Sequence, residues 1–437
     1  MLLSEKLLQY VWLHRVFNTH DLQTTKGEPL RILSPGTWNN NAGPDFLDAR
    51  IQVGNTLLAG NVELHLKASD WIKHRHDTNM HYKNLILHVV HESDLGEDDL
   101  LPPYVPAVEL QGRIPRLLLE RYANLMQHDG NILCAGQLNP VDDLTWLSWK
   151  DRLLVERWQQ KTALFAQWMD GNQNNWDETF YKALARNFGV PVNGDAFEAL
   201  AASLPLKVVM LHKHNLLQTE ALLFGQAGML NERFGDKYPQ KLQQEYQFLQ
   251  KKYQLTPVKP HLWKWMRMRP SAFPTIRIAQ FAALIHQSLH LFSKILGTAE
   301  VKSIYQMFDV SASPSWDHHY RFIKRNEISK DDKTTPGKGK NLGKNMIENI
   351  LINTICPMLA MYDRFQLHGN YLDRAFQWMR TLPAENNRYT REWEEINIPN
   401  TSAWDSQALL HLTKNYCMEK RCLNCSVGNK ILRDKKE

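Results

Sequence analysis

Cysteine is scarce in this chain, five in 437 residues, and three of the five crowd between Cys417 and Cys425. So uneven a supply excludes a disulfide framework, which staples short secreted domains with many bridges. Long apolar runs are missing too. Nothing reaches the stretch of about 18 residues that a membrane span needs, and no membrane association is expected. Leu2-Leu3 is followed at once by Ser4-Glu5-Lys6, the wrong shape for a secretory leader. A soluble cytoplasmic protein is the expectation. No segment repeats with a period of about 20–50 residues, which excludes a solenoid. Gly337 to Lys344 falls short of a phosphate loop: its glycine spacing is wrong, and Asn345 stands where Ser or Thr would hold Mg²⁺. An ATPase is therefore excluded on that motif.

The residues present are ample for a folded interior, with 43% hydrophobic and 10% aromatic. The length favours roughly two or three packed units. Residues 1–135 read as an α/β (α+β) module with a mixed sheet, and 136–437 as a large, mainly α-helical region. Near the start, Leu2 to Phe17 is amphipathic at helical spacing. Two strands follow, Ala49 to Val53 and Thr56 to Lys67, joined by a Gly54-Asn55 turn of the kind that closes hairpins. A further apolar strand falls in Tyr82 to His91 and a short one in Ala107 to Gln111. Helical periodicity then marks 142–169, 199–226, 241–253, 276–296, 342–361 and 403–416.

The chemistry gathers early. Asp45 precedes the first strand of the hairpin, and alternation along the second puts Glu63, His65 and Lys67 on one face. Carboxylate oxygens so placed suit Mg²⁺ or Mn²⁺, and a neighbouring His or Lys could orient water or stabilise phosphate charge. A Gly-Pro-Asp turn is also ordinary loop chemistry, and a strand Glu is common. Pro44-Asp45 followed by Glu63-Leu64-His65 resembles the PD-(D/E)XK nuclease superfamily. That resemblance covers about the first quarter of the chain and implies a nuclease-like module with metal at Asp45 and Glu63. It assigns Glu5 as a helix-borne third acid. The family's usual Lys is replaced by His65, with Lys67 one side-chain repeat further on, so either carries the water-activating role. Over nearly its whole length the chain also resembles an uncharacterised bacterial domain-of-unknown-function family. Gly43-Pro44-Asp45-Phe46, Gly60 to His65, Asp70 to Asp77, Arg269-Pro270, Phe273 to Arg277 and Tyr416 to Cys425 carry that likeness.

Three further clusters invite function. His74, His76, Asp77, His81 and Tyr82 follow the hairpin in a spacing that fits no named zinc signature, which favours phosphate contact by His74 and His76. Cys417-x₄-Cys422-x₂-Cys425 offers a pair of thiolates at metal-gripping distance. Cys134, Cys356 or a His would complete the set around [4Fe–4S] or Zn²⁺. Some nucleases of the resembled superfamily tie an iron–sulfur cluster with one distant and three C-terminal cysteines, which implies Cys134 here. Lysines and arginines gather from His318 to Lys344, Lys338 and Lys340 among them, against a net charge of +6; they form a solvated loop or a phosphate contact. Arg267, Arg269 and Arg277 beside Trp263 and Trp265 form either a buried pair with ion pairs or a clamp for single strands. The sum points to a Mg²⁺- or Mn²⁺-dependent nuclease acting on DNA or RNA. The alternatives are a noncatalytic nucleic-acid-binding or scaffold protein and a His-based metallohydrolase.

Overall fold

The computed structural model describes residues 3–39, 41–74, 80–95, 105–325, 337–365 and 369–434. By internal contacts the chain forms two units, 1–151 with 410–437, and 152–409. The sequence boundary at 135/136 thus differs from the contact boundary, and the last 28 residues return to the first unit. Two clamps explain the return. Arg121 donates to the carbonyls of Ile431 (3.3 Å) and Asp434, and Lys430 pairs with Asp142 at 2.6 Å.

In the first unit, α1 (Glu5–His14) starts where Ser4 accepts the N–H of Leu7, and Glu5 in its first turn suits the helix dipole. Leu7, Leu8, Val11 and Trp12 bury one face, and Arg15 ends the helix in a left-handed conformation. Six strands follow: β1 (Leu30–Ser34), β2 (Thr37–Trp38), β3 (Phe46–Val53), β4 (Thr56–Lys67), β5 (Leu85–Glu92) and β6 (Ala107–Glu109). They form one mixed sheet in the order β1-β3-β4-β5-β6, with β2 pairing to β3. The Gly54-Asn55 turn joins β3 to β4, with Val53 opposite Thr56. β4 and β5 run parallel, so the chain must cross over between them. It does so through α2 (Asp70–Lys73) and a 3₁₀ turn at Met80–Tyr82. Paired on both sides, by β4 and β6, β5 is buried along Leu85 to Val90, as a strand covered on both faces must be.

β3 begins three residues earlier than the apolar pattern suggests, because a bulge lies between Phe46 and Ala49. Asp48 there takes φ 57. The bulge sets Phe46 opposite Val62 and re-aims the start of the strand toward the middle of β4. β1 and β2 are short and lack a repeating apolar pattern, which hid them in the sequence. α3 (Arg116–Gln127) and the start of α4 (Asp143–Gly171) complete the unit with the tail.

The second unit is helical around a large aromatic and aliphatic core. The apolar stretch 199–226 is not one helix but parts of three, Gly194–Ser203, Leu206–His212 and Leu216–Gln226. Pro205 cannot donate within a helix, and Asn215 caps the third by accepting from Leu217 and Gln218. Likewise 276–296 divides into Pro274–Gln287 and Leu291–Leu296, with His290 left-handed between them. Among the described residues no helix is long and apolar enough to cross a membrane.

Candidate active site

Asp45 is fixed by its backbone first. Gly43 takes φ +111, a conformation that only glycine adopts without strain, and Pro44 stiffens the next residue. Asn39 ties the turn shut by donating its side-chain amide to the Pro44 carbonyl (2.9 Å) and its N–H to the Asp45 carbonyl (2.8 Å). The Asp45 carboxylate then accepts from Gln9 on α1 at 2.7 Å and from the Leu64 N–H on β4 at 3.0 Å. In return the Asp45 N–H donates to Glu63 Oε2 at 2.9 Å. The two acids therefore lock helix, turn and strand at one point.

That point is crowded with like charge. Burial pushes the Asp45 carboxyl up to about 6, with Glu5 adding repulsion, although the Leu64 N–H works against the rise. Glu63 is only 5% exposed. Burial, then repulsion by Asp45 and Glu5, push its carboxyl up to about 9 even though Tyr82 and the Asp45 N–H hydrogen-bond to it. Asp45 and Glu63, buried side by side, resist ionising together.

Imidazoles line the same side of β4. His65 is 1% and His88 0% exposed. His65 Nδ1 meets His88 Nε2 at 2.9 Å, so one ring fixes the tautomer and orientation of the other. The other nitrogen of His65 lies 3.2 Å from His74 Nδ1 and 3.8 Å from Glu63 Oε1. Trp71 on α2 covers this set, edge-on to His65 and Tyr82. Ligand atoms of Glu5, His65 and His74 all lie within 4.8 Å of one another, the one such group of three among the described residues. A 3.2 Å separation of two imidazole nitrogens is also the spacing of neighbouring ligands on an ion bound at about 2.0–2.1 Å.

Asp45, Glu63, His65, Glu5 and His74 thus meet in one site. Lys67 points elsewhere: half exposed at the end of β4, it faces Glu92 at 3.9 Å. His76 lies outside the described residues. Gln9 was missed by sequence reasoning, although its place one helical turn after Glu5 was the available signal. Tyr82, read as a packing or capping residue, also donates to Glu63.

The expected nucleic-acid contacts of the helical unit are dispersed in role. Arg267, Arg269 and Lys338 are exposed. Arg277 is half-buried and donates to Gln280 at 3.0 Å. Lys340 is 8% exposed; its ammonium donates to the Asp317 carbonyl at 3.2 Å and sits 4.1 Å from the Tyr320 ring centre. Trp263 is core, donating its indole N–H to the Ala227 carbonyl at 2.8 Å.

All five cysteines are free and buried. Cys134, Cys417, Cys422 and Cys425 come together in the first unit, close enough that Cys134, Cys422 and Cys425 each act electrostatically on Cys417. Cys356 belongs to the helical unit, beside Lys161.

Residues 5–388 match the model of a family described as a protein of unknown function (DUF2851), and the chain belongs to that family. The match ends before Cys417. No curated protein and no solved structure matches the chain.

Proposed function

We propose that this member of a family of unknown function is a divalent-metal-dependent nuclease that hydrolyses phosphodiester bonds of cytoplasmic DNA or RNA. The observation that carries the reading is the interlocked Asp45–Glu63 pair, buried together with Glu5 in their reach and held by a helix, a turn and a strand. Acids forced together at this cost in ionisation suit a cation. The layout, an acid ahead of one strand and a second acid on the next, supports the sequence's resemblance to the nuclease superfamily. Asp45 and Glu63 would hold Mg²⁺ or Mn²⁺, with Glu5 and His74 as the nearby donors. When bound, such an ion neutralises phosphoryl charge and acidifies a water.

The chain's own groups supply the rest. His65, whose Nδ1 is engaged by His88, presents Nε2 to the site, where it can accept a proton from the attacking water. His74 and Tyr82 lie at the rim, and either can donate to a phosphate oxygen. Trp71 excludes water from one side of the imidazoles.

The second reading, a noncatalytic nucleic-acid-binding scaffold, is favoured by one observation: Lys67, on the same strand as Glu63, faces Glu92 instead of the pair. Cleavage of labelled single- and double-stranded DNA and RNA with Mn²⁺ or Mg²⁺, by wild type and Asp45→Ala, decides between them. Metal-dependent cutting lost in the variant supports the nuclease. Binding without cutting in both proteins supports the scaffold.

A further inference from the structure

The helical unit holds a cavity of about 360 Å³. Residues of four helices line it: Trp176–Phe188, Leu206–His212, Pro274–Gln287 and Leu291–Leu296. Two breaks in the chain help to open it. Pro205 ends one helix before Leu206 begins the next, and the left-handed His290 separates another pair; both residues stand at the lining. Where a helix stops, no side chain of a following turn fills the space beside it.

Most of the wall is apolar. Phe180 packs on Phe292 with ring centres 5.1 Å apart, and Tyr181 on Phe281 at 5.6 Å; Leu184 and Leu284 line it too. Protein interiors hold few voids larger than a water molecule, whereas this volume lies in the range of pockets that take up small molecules. An apolar cavity of about 150 Å³ accepts benzene, so the present one has room for roughly fourteen non-hydrogen atoms.

The polar part of the lining selects the occupant. Asp177 and Glu178 stand in the first turn of the helix Trp176–Phe188, against one lysine, Lys207. One Glu178 oxygen accepts the Leu206 N–H at 3.0 Å, and the carboxylate forms no ion pair among the described residues. Burial pushes its carboxyl above the usual range, although the Leu206 N–H and Lys182 oppose the rise. Three residues on, and so on the same helix face, Tyr181 is 4% exposed and its buried hydroxyl has no hydrogen-bond partner. A carboxylate without a cation beside an unpaired hydroxyl calls for a group that is positive and donates more than one hydrogen bond. An ammonium does both. We propose that this cavity binds a small apolar amine, its body against the Phe180, Phe281 and Phe292 rings and its ammonium on Glu178 and Tyr181. The inference stands apart from the nuclease reading, since it concerns the other unit and none of that site's acids or imidazoles.

The experiment is calorimetric titration of the full chain with tryptamine and with tryptophol, its neutral hydroxyl counterpart of the same size. One saturable site is expected, with tryptamine bound about tenfold more tightly. Glu178→Gln, whose amide oxygen still accepts the Leu206 N–H, abolishes that preference and leaves tryptophol binding as it was. Asp45→Ala binds tryptamine as wild type does, so failure of the nuclease reading leaves this result standing. Should Glu178→Gln not fold, Tyr181→Phe replaces it and weakens tryptamine by about fivefold with no loss of Tm. Tryptophol binding as tightly as tryptamine, or no saturable tryptamine binding, overturns the assignment, as does unchanged tryptamine affinity in folded Glu178→Gln or Tyr181→Phe.

Discussion

Two sites in one unit are built in opposite ways. The carboxylate–imidazole site draws Asp45, Glu63, His65 and His74 from 30 consecutive residues, with Glu5 from the adjoining helix. The cysteine cluster joins Cys134 to residues nearly 300 positions later. One collects hard oxygen and imidazole donors around buried negative charge, the other soft sulfur among aromatic rings. Donor softness sorts metals, so a hard divalent ion should favour the first over the second, and the two should fail independently. The comparison also shows how position in a chain sets legibility. Strand alternation is a local rule, whereas the partner of a remote thiol is decided by tertiary packing.

The sharpest way to break the contrast is to remove one site and watch the other. Asp45→Ala should lower Mn²⁺-dependent cleavage by about a thousandfold or more, a loss of several kcal/mol of charge stabilisation, with the cysteine cluster undisturbed. Gly428→Ala should do the reverse, because its new methyl meets the Cys422 carbonyl oxygen at 2.1 Å: thermal melts should show a lower Tm, while titration calorimetry shows Mn²⁺ binding unchanged. A Gly428→Ala protein with an unchanged Tm would contradict the tight approach.

Smaller changes sharpen the electrostatics. His88→Ala frees the His65 ring and should cost about 10–100-fold in Mn²⁺ affinity or turnover, the usual effect of losing an outer partner. His88→Asn should recover part of it if orientation is what matters.

The carboxyl of Glu63 is raised above its unfolded value near 4.5, so its ionised form destabilises the metal-free fold. That penalty is absent below pH 4.5 and grows as pH climbs toward about 9. Metal-free wild type should therefore lose stability over that window. Glu63→Gln, while losing activity, should flatten the pH dependence and raise Tm at pH 8 by roughly 2–4 °C; an unchanged pH slope in thermal melts would count against the buried charge.

Much of the first site was legible because its rules are short-range. Gly43-Pro44-Asp45 marks the turn, the Gly54-Asn55 turn fixes the hairpin register, and period-two alternation puts Glu63 and His65 on one face. Lys67 shares that face in the alternation, but two more residues carry it to the end of the strand beside Glu92. Distance along a strand, about 3.3 Å per residue, separated it from the acids. Tyr82 and Gln9 reach Glu63 and Asp45 from other elements, so no local pattern announced them. Among the cysteines, the tail spacing was visible, but the choice of Cys134 over Cys356 depended on which unit each thiol folds into. The helical unit was readable as helices, yet not in its breaks, which Pro205, Asn215 and His290 impose one residue at a time.

The most direct test of the central claim is calorimetric titration of Mn²⁺ into wild type and Asp45→Ala in two buffers of different ionisation heat. The paired acids predict binding by wild type with proton release and affinity rising up to about tenfold per pH unit between about 6 and about 9, and none by Asp45→Ala. Equal binding by both proteins, or binding without proton release, would contradict a metal site built on Asp45 and Glu63.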